Sequence, residues 1–406
     1  MNHIPHIKAA ARTENITYAV RDIVLLAQEA AHSGKPMLYL NIGDPNQFGF
    51  KTPLHILNAI RCALAENHNG YSHSSGITSA LAAIEREAHR KGIHNVLDLF
   101  VTTGASEGIE ICLSALADPG ENVLIPMPGY PLYSAILNKL GVVENPYYLD
   151  EANEWQPNLR DITSKINDKT RAIVLINPNN PTGSVCSEET LLGLIDLALR
   201  HELVIFADEI YDKLVLDGGD HISIASLNRD VPVVTFNGLS KSYLAPGFRI
   251  GWGIVSGRER ALRPYIEAIN KILRARLCAN HPIQYAIQPA LEGDQSHLLS
   301  LNAHLARRRD ITVNRLNSIP GISCVVPRAA FYAFPRLYIH ESDEVFVNGL
   351  VRQTGVVVVP GCGFGQVPGT SHFRVVFLPT EHILEQAFAQ LKHYMEEYRR
   401  RIRSAH

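Results

Sequence analysis

The amino-acid sequence predicts an α/β fold with two lobes, a large one built on a mostly parallel sheet and a smaller α+β one. From Leu99 to Phe236, short apolar runs alternate with segments of helical spacing. This pattern is typical of a parallel sheet, here of the seven-stranded type, with helices on both faces. Beyond residue 293 the chain changes to short strands with helices around them.

The predicted domain boundaries follow these changes of pattern. We expect an N-terminal arm and helix over residues 1–45, a large domain over 46–293 and a small C-terminal domain over 294–406. The arm is expected to pack on the small domain. No repeat period and no low-complexity tract is present, which argues against repeat and linker architectures.

The elements of the first part of the chain are predicted from helical spacing and chain breakers. IVLLAQEAA (23–31) has helical spacing and ends at the Ser-Gly-Lys-Pro sequence that follows. A short strand is expected in MLYL (37–40), before a Gly-Asp-Pro turn, and further helices over 53–67 and 78–92. Between these two helices, GYSHSSG (70–76) is a polar loop.

The central region supplies the strands of the large sheet. Buried strands are expected, in chain order, in LFVTT, NVLIP, VVENPYYL, RAIVLI, LVIFA and VPVVTF. Ligands bind beyond the carboxyl ends of the strands in open α/β sheets, so the loops after these runs are the expected site. The chain continues with a strand in GIVSG, a helical region from 259 to about 293, a helix over 297–318, short strands and an amphipathic terminal helix.

The composition argues against several classes of function. Lys and Arg number 38 and Asp and Glu 40, a formal net charge of −2, so no electrostatic signature of nucleic-acid or anionic-membrane binding is present. No run approaches the roughly 20 apolar residues of a membrane span. The six cysteines lie far apart, and the 18 histidines form no HExxH pattern. We therefore expect no metal site, and a soluble cytoplasmic protein with free thiols.

The chemistry is expected around Lys241, in the stretch FNGLSKSYLAPGFRIGW (236–252). This lysine follows the predicted strand VPVVTF and stands among small residues, with Arg249 eight positions further on. A lysine in a loop is usually solvated. The neighbouring loops change that expectation, because they carry groups suited to a phosphorylated, planar, cationic cofactor.

Three other loops at the same edge of the predicted sheet carry these groups. In TGASEG a strand leads into a helix whose first N–H groups, with the Ser106 hydroxyl, can bind phosphate. In NPNNPTG two prolines and a glycine fix an irregular loop that presents Asn180. In ADEIYD, Asp208 follows a strand, and a carboxylate buried there needs a cation such as a protonated pyridine nitrogen. Arg249 adds a fork of donors matched to phosphate.

TGASEG leaves other interpretations open. It contains G-x-S-x-G, the nucleophile elbow of α/β-hydrolases, which would make Ser106 the nucleophile of a serine hydrolase. The oxyanion segment of such an enzyme is absent, and Lys241 and Arg249 would have no role. The stretch is also compatible with a plain helix N-cap. A dinucleotide site in GCGFG (361–365) is disfavoured because Pro368 stands where a helix should begin.

In their order and spacing, these motifs resemble the fold-type I pyridoxal-phosphate aminotransferases, and among them the bacterial alanine (glutamate–pyruvate) aminotransferases. The resemblance covers nearly the whole chain. It is carried by LNIGDP, GYSHSSG, INPNNPTG, FADEIYDKL, FNGLSK, RLCAN, PRAAFYAFP and HFRVVFLP. It implies pyridoxal 5′-phosphate as the cofactor and a homodimer as the assembly.

The resemblance also implies roles for the residues around the cofactor ring. Lys241 would bind the cofactor covalently and carry a proton between substrate and cofactor. Asp208 would pair with the pyridine nitrogen, and the ring oxygen would accept hydrogen bonds from Asn180 and Tyr211. Tyr130 would stack on the ring.

The phosphate group has its own implied set of ligands. Many relatives carry Ser where this chain has Gly238, so one common phosphate contact is missing. Tyr71 would reach the phosphate of the neighbouring subunit and so make the dimer necessary for a complete site. The remaining phosphate contacts would be Ala105, Ser106, Ser240 and Arg249.

Substrate recognition is implied in the same way. Arg374 would bind the α-carboxylate, with Gly43 as a backbone contact. Tyr18 and Arg21 in the N-terminal arm match the alanine group, and Arg21 could meet the γ-carboxylate of glutamate. Arg276 is another candidate for that contact.

The implied activity is transfer of an amino group between an L-amino acid and a 2-oxo acid by a ping-pong mechanism. Alanine or glutamate is the expected donor, and pyruvate or 2-oxoglutarate the expected acceptor. A pyridoxal-phosphate lyase or decarboxylase on the same fold is the alternative, because these enzymes share the lysine and the aspartate.

Overall fold

The computed structural model describes residues 7–14, 16, 19–32 and 34–405. Its helices are α1 (Ala19–His32), α2 (Leu54–Ala65), α3 (Thr78–Arg90), α4 (Ala105–Leu116), α5 (Leu132–Leu140), α6 (Leu159–Lys165), α7 (Glu188–Arg200), α8 (Ile224–Leu227), α9 (Glu259–Ala275), α10 (His281–Gln284), α11 (Ile287–Glu292), α12 (Ser296–Asn317), α13 (Asp343–Thr354) and α14 (Glu381–Ala405). None of these helices combines the length and apolar character needed to cross a membrane.

The strands are shorter in the C-terminal third than in the centre of the chain. They are β1 (Leu38–Tyr39), β2 (Val96–Thr102), β3 (Asn122–Met127), β4 (Val143–Asp150), β5 (Gln156–Pro157), β6 (Thr170–Ile176), β7 (Val204–Asp208), β8 (Val233–Gly238), β9 (Gly251–Ser256), β10 (Ile322–Ser323), β11 (Tyr332–Ala333), β12 (Arg336–Leu337), β13 (Val356–Val357), β14 (Val359–Pro360) and β15 (Ser371–Val376).

The large sheet has the strand order β2-β9-β8-β7-β6-β3-β4-β5 within the described residues. Strands β8, β7, β6, β3 and β4 are mutually parallel. Strand β9 runs antiparallel between β2 and β8, and the two-residue β5 pairs antiparallel with β4. The seven long strands confirm the predicted mostly parallel sheet.

Both faces of the large sheet are buried. Along β6, Ile173 and Leu175 belong to one packed cluster, while Val174 and Ile176 belong to the other. Helices α3, α7 and α11 contribute to the first cluster, and α4, α5 and α9 to the second. Successive side chains of a strand point to opposite faces, so a strand covered on both sides is continuously apolar rather than alternating.

The smaller sheet is centred on β15. Strands β11, β12 and β14 pair antiparallel with β15, and β10 pairs with β12. Strand β1 pairs with β13, with Leu38 opposite Val356, and α1 contacts α13. The N-terminal segment therefore lies against C-terminal elements, while the domain boundaries at residues 45 and 293 stay predictions.

Two regions differ from the predicted elements. The helical region from 259 to 293 is interrupted after α9, where Leu277 adopts a left-handed backbone with φ +76°. Among the short strands expected after residue 318, those in GISCVVP (321–327) and AAFYAFP (329–335) are only two residues long. Each of these segments ends in a proline, Pro327 or Pro335, which has no N–H to continue a ladder.

The sheet positions the candidate site through its strand ends. Strand β2 ends at Thr102, β6 at Ile176, β7 at Asp208 and β8 at Gly238. Because β2 and β8 both run antiparallel to β9, all four of these strands point the same way. The loops that follow them therefore meet at one edge of the sheet.

Candidate active site

A pocket of about 930 Å³, including its open mouth, lies where the parallel strands end. It is lined by segments that follow β2, β3, β6, β7 and β8, together with the loop after β1 and residues of β11 and β15. The predicted site residues that line it are Gly43, Ala105, Ser106, Tyr130, Asn180, Asp208, Tyr211, Ser240, Lys241, Arg249 and Arg374.

Tyr71 is not among the residues that line this pocket, and neither Tyr18 nor the side chain of Arg21 is among the described residues. Tyr71 lies in the loop between α2 and α3 with 83% of its surface exposed, so its side chain is accessible to another molecule. Tyr18 lies outside the described residues. Arg21 belongs to α1, but its side chain also lies outside them. The roles assigned to these three residues stay predictions.

Lys241 follows the end of β8 by three residues. Its Nζ donates a hydrogen bond to the carbonyl oxygen of Gly43 at 3.0 Å. The same Nζ lies 5.9 Å from the ring centre of Tyr211 and 5.7 Å from that of Phe331. In the part of the chain that the structure describes, no carboxylate forms an ion pair with this lysine. Its ammonium group thus points into the pocket among aromatic rings.

Asp208, the last residue of β7, is buried with 4% of its surface exposed. Its carboxylate accepts hydrogen bonds from Tyr133 Oη and from the backbone N–H of Ile210, each at 3.3 Å. No ion pair among the described residues includes it. Burial raises the pKa of Asp208 from 3.8 to about 6. A buried carboxylate in this state favours a ligand that brings a positive charge or a proton donor.

Tyr211 follows Asp208 by three residues and is also buried. Its hydroxyl lies 2.9 Å from that of Tyr332, and either oxygen can donate the hydrogen bond. Burial, together with the neighbouring Tyr332, raises the pKa of Tyr211 well above its ordinary value. Tyr211 is therefore a neutral donor in the pocket rather than a phenolate.

The turn between β2 and α4 forms an anion-binding surface. Gly104 has φ +77°, and a Cβ at this position would collide with the guanidinium of Arg249. The left-handed backbone therefore favours glycine here, and the missing side chain lets the arginine approach the turn closely. The first N–H groups of α4 and the Ser106 hydroxyl lie at the same turn. Together with Arg249 they provide donors and positive potential for a phosphate group.

Gly238 has a structural reason to lack a side chain. It pairs with Gly251 at the ends of β8 and β9. A Cβ on Gly238 would lie 2.7 Å from the carbonyl oxygen of Ile250 and 3.0 Å from Cα of Gly251. A serine in this backbone would need the two strands to separate, so the donors for a phosphate must come from other residues.

Arg374 in β15 is buried between two aromatic rings. Its guanidinium carbon lies 4.8 Å from the ring centre of Tyr332 and 4.7 Å from that of Phe364. One terminal nitrogen donates to Oδ1 of Asn180 at 3.2 Å and the other to the carbonyl of Asn41 at 2.9 Å. Its Nε has no hydrogen-bond partner among the described residues. A buried guanidinium with spare donors is suited to a carboxylate ligand.

The sequence from residue 35 to residue 391 matches the family model described as aminotransferase class I and II. The chain belongs to this family. It is 41% identical over 397 residues to the glutamate–pyruvate aminotransferase AlaA of Haemophilus influenzae, covering 96% of this chain and 98% of the relative. It is 42% identical over 402 residues to the alanine aminotransferase of Mycobacterium bovis, covering 96% and 93% of the two chains.

Solved aminotransferase structures have the same fold. The alanine aminotransferase of Pyrococcus furiosus superposes with a TM-score of 0.93 at 40% identity, covering 96% of this chain and all of that one. The aspartate aminotransferase of Rhizobium meliloti superposes with a TM-score of 0.89 at 28% identity, covering 96% and 99%. The resemblance stated from the motifs is confirmed, and the protein is an aminotransferase.

Class I and II aminotransferases use pyridoxal phosphate, and the pocket of this aminotransferase fits that cofactor. Asp208 is a buried carboxylate that forms no ion pair among the described residues, so it can pair with a protonated pyridine nitrogen. The Gly104 turn presents helix N–H groups and Arg249 to an anion. Lys241 lies in the same pocket.

The residues that line the pocket do not support the serine hydrolase interpretation. Ser106 lies at the first turn of α4 and lines the pocket, but no histidine is among the described residues that line it. A serine nucleophile needs an adjacent general base.

Arg276 is engaged away from the pocket. It donates to the Glu107 carboxylate at 3.0 Å and to the backbone carbonyls of Val101 and Ser74 at 2.7 Å and 3.1 Å. It does not line the pocket of its own subunit. The structure therefore gives Arg276 a role in fixing the start of α4.

Two tyrosines of the site were missed by the sequence reasoning. Tyr133 lies in the first turn of α5, three residues after the predicted ring-stacking residue Tyr130, and this short separation could have identified it as a neighbour of the pocket. Tyr332 lies in PRAAFYAFP, which contributed to the family resemblance, but its two-residue strand has no period that would show which way the side chain faces. Apolar residues that line the pocket were also missed: Ile109, Leu132, Ile176 and Ile210.

Proposed function

We propose that this aminotransferase transfers an amino group between L-alanine or L-glutamate and a 2-oxo acid, pyruvate or 2-oxoglutarate, in two half-reactions of a ping-pong cycle. The observation that carries the proposal is the convergence of Lys241, the buried carboxylate of Asp208 and the buried guanidinium of Arg374 on one pocket.

Pyridoxal phosphate would be held by residues from five loops. Lys241 would hold it through Nζ, with Asp208 at the pyridine nitrogen and Tyr130 against the ring. Asn180 and Tyr211 would donate hydrogen bonds to the ring oxygen. The phosphate would lie at the Gly104 turn, with donors from Ala105, Ser106, Ser240 and Arg249. When bound, the cofactor supplies an electron sink for the electrons left at the α-carbon after proton removal.

The protein's own groups would position the substrate and move its proton. Arg374 would bind the α-carboxylate through the guanidinium, and its two flanking rings restrict rotation of that group. The Nζ of Lys241 would accept the α-proton and return it to the cofactor as general base and acid. The hydrogen bond from Nζ to Gly43 shows that the amine reaches the side of the pocket formed by the β1 loop.

The pocket favours a small side chain on the amino donor. Its described lining contains three cationic residues, Lys241, Arg249 and Arg374, and each has a role above. A second carboxylate, as in glutamate, would need a cation from elsewhere, and Arg21 is our candidate. The names of the relatives, alanine and glutamate–pyruvate aminotransferase, support the same pair of donors.

We also propose that the active form is a homodimer in which Tyr71 donates to the phosphate in the neighbouring subunit. An exposed tyrosine in a loop that does not contribute to its own pocket supports this arrangement. Tyr71→Phe should weaken cofactor retention without changing the mass of the dimer. Unchanged cofactor affinity in that variant would contradict the contact.

A single-turnover experiment tests the reaction type. Cofactor-loaded protein mixed with L-alanine and no oxo acid should form one equivalent of pyruvate per site, while its visible absorbance shifts to that of the aminated cofactor. Addition of 2-oxoglutarate should restore the original spectrum. Continuous release of ammonia would indicate a lyase, and carbon dioxide a decarboxylase. Either product would overturn the proposal.

A further inference from the structure

Tyr332 connects two parts of the pocket that the proposed function treats separately. It is buried in β11, with 2% of its surface exposed. Its hydroxyl lies 2.9 Å from the hydroxyl of Tyr211, and its ring lies 4.8 Å from the guanidinium carbon of Arg374. One side chain thus contacts both the proposed donor to the cofactor ring and the proposed carboxylate receptor.

The position of Tyr332 is fixed by the surrounding structure. Strand β11 pairs with β15, placing Tyr332 opposite Val376 on the strand that carries Arg374. The Tyr332 and Tyr211 rings pack edge to face, with centres 5.7 Å apart and an interplanar angle of 88°. The hydroxyl is therefore positioned by contacts within the protein.

Gly43 leaves the space that the Tyr332 hydroxyl occupies. A Cβ at position 43 would lie 2.5 Å from the Tyr332 Oη, which is closer than van der Waals contact allows. The carbonyl of the same glycine accepts the hydrogen bond from Lys241. Because residue 43 has no side chain, its backbone can bind Lys241 and still lie directly beside Tyr332.

The direction of the tyrosine hydrogen bond depends on the cofactor. A hydroxyl donates one hydrogen bond and accepts up to two. If Tyr211 donates its proton to the ring oxygen of the cofactor, as the proposed function has it, the proton between the two tyrosines must come from Tyr332. A hydroxyl that accepts a hydrogen bond becomes a stronger donor, because hydrogen bonds in a chain polarise one another.

We propose that Tyr332 is a positioning residue of the aminotransferase: its hydroxyl donates to Tyr211 and strengthens that residue's hydrogen bond to the cofactor, while its ring supports Arg374 for the substrate carboxylate. The proposal rests on the proposed function, since it assumes the cofactor and the roles of Tyr211 and Arg374. A tyrosine that only filled the core would have neither effect.

Two substitutions separate the two effects. Tyr332→Phe removes the hydroxyl and keeps the ring, whereas Tyr332→Leu removes both. Tyr147→Phe is a matched control, because Tyr147 is equally buried but its hydroxyl donates to the carbonyl of Val174 at 2.7 Å, outside the pocket. Among the described residues, the charged groups around the tyrosine pair are Lys241, Asp208 and Arg374, and Tyr130 is a further titratable group beside Tyr211. All three variants keep these groups.

The first measurement is the pH midpoint of the visible absorbance change of the bound cofactor. Above the midpoint the cofactor has lost a proton, so the negative charge on its ring oxygen is less compensated than at low pH. A weaker hydrogen bond from Tyr211 therefore makes the high-pH form less favourable. Tyr332→Phe and Tyr332→Leu should both raise the midpoint by about 0.5 to 1 unit, the equivalent of one hydrogen bond. Tyr147→Phe should leave it unchanged.

The second measurement is the dissociation constant of propionate, the analogue of alanine that lacks the amino group. Tyr332→Leu should weaken propionate binding by about five- to tenfold, the range expected for loss of a buried cation–π contact. Tyr332→Phe should change it less than twofold. Equal weakening by the two variants would overturn the role of the ring.

A double variant separates the hydroxyl effect from a general disturbance of the pocket. In a Tyr211→Phe background, Tyr332→Phe should cause no further change in the midpoint. A midpoint unchanged by Tyr332→Phe in the wild-type background, or an equal shift in both backgrounds, overturns the role of the hydroxyl. Failure of the wild-type protein to bind pyridoxal phosphate would instead overturn the proposed function itself.

Discussion

Asp208 and Asp212 are both buried and stand four residues apart, yet the protein treats them in opposite ways. Burial raises the pKa of Asp208 to about 6. Burial acts in the same direction on Asp212, but the positive charges of Lys91 and Lys213 outweigh it and lower the pKa of Asp212 to about 2. The two carboxylates therefore differ in their partners rather than in their exposure.

Asp212 belongs to a group of paired charges that we call the buried ion cluster: Glu87, Lys91, Glu209, Asp212 and Lys213. Lys91 of the α3 C-terminus pairs with Asp212 and, at 3.1 Å, with Glu209. Lys213 pairs with Glu87 at 2.6 Å. Burial lowers the pKa of Lys91, but the attraction of Asp212 and Glu209 outweighs it, and the net shift is upward. Each carboxylate of this cluster thus has a lysine within ion-pair distance.

The comparison separates a structural site from a binding site. The buried ion cluster ties α3 to the segment after β7 and needs no ligand. Among the described residues, the pocket has a carboxylate and a lysine that each form no ion pair, and a guanidinium whose Nε has no hydrogen-bond partner. Incomplete pairing at a buried site has an energetic cost, and such sites are commonly where ligands bind.

A substitution in the pocket should have its largest effect on activity, unlike one in the buried ion cluster. Lys241→Ala should reduce transamination by more than about a thousandfold, because no other lysine is among the described residues that line the pocket to carry the α-proton. The free energy of unfolding of the cofactor-free variant should change by less than about 1 kcal/mol, since Lys241 loses one hydrogen bond to a backbone carbonyl. Half-reaction kinetics and urea unfolding give the two values; appreciable transamination would refute the assignment.

A substitution in the buried ion cluster should show the reverse pattern. Lys91→Met leaves Glu209 and Asp212 buried without their shared cation, and should lower the free energy of unfolding by about 3–5 kcal/mol. The control is Lys139→Met, because Lys139 forms an exposed ion pair with Glu110 and should cost less than about 1 kcal/mol. Urea denaturation at pH 7 measures both. Equal stability of the two variants would show that the cluster is not structural.

The sequence predicted the residues of the pocket but not those of the buried ion cluster. Asp208 and Lys241 follow apolar strands within long motifs, and parallel strands bring their ends to one edge. Lys91, by contrast, stands at the end of α3 among polar residues with no motif around it. Its partner Asp212 is 121 positions away in the chain. Local periodicity has no information about such a contact.

The same limit applies to the smaller lobe. Arg374 was identified through the family resemblance and Tyr332 was not, although the two lie on adjacent strands. Strand β11 is too short to show an alternation of apolar and polar side chains, and Tyr332 has no charge to mark it. The contact between the Tyr332 ring and Arg374 arises only when β11 pairs with β15.

The smallest expected effect tests the two carboxylates directly. Because the pKa of Asp208 is raised above its unfolded value of 3.8, its charge destabilises the folded protein increasingly as pH rises from about 4 to about 6, and constantly above that. The full shift corresponds to about 3 kcal/mol. Cofactor-free Asp208→Asn should therefore gain stability over the wild-type protein between pH 4.5 and 7, and no further gain should follow at higher pH.

Asp212→Asn is the matched substitution in the buried ion cluster. The pKa of Asp212 is lowered to about 2, so its charge stabilises the fold at every pH above about 4 and this contribution is lost only as pH falls through 2. Asp212→Asn should thus lose stability by a constant amount between pH 4.5 and 8, while Asp208→Asn gains it. Urea denaturation of both variants across this range measures the two curves. If both variants change the free energy of unfolding in the same direction and by a similar amount at every pH, the two aspartates do not differ in their partners as the geometry indicates. A loss of stability in Asp208→Asn above pH 6 would show that a cation from the protein already pairs with that carboxylate.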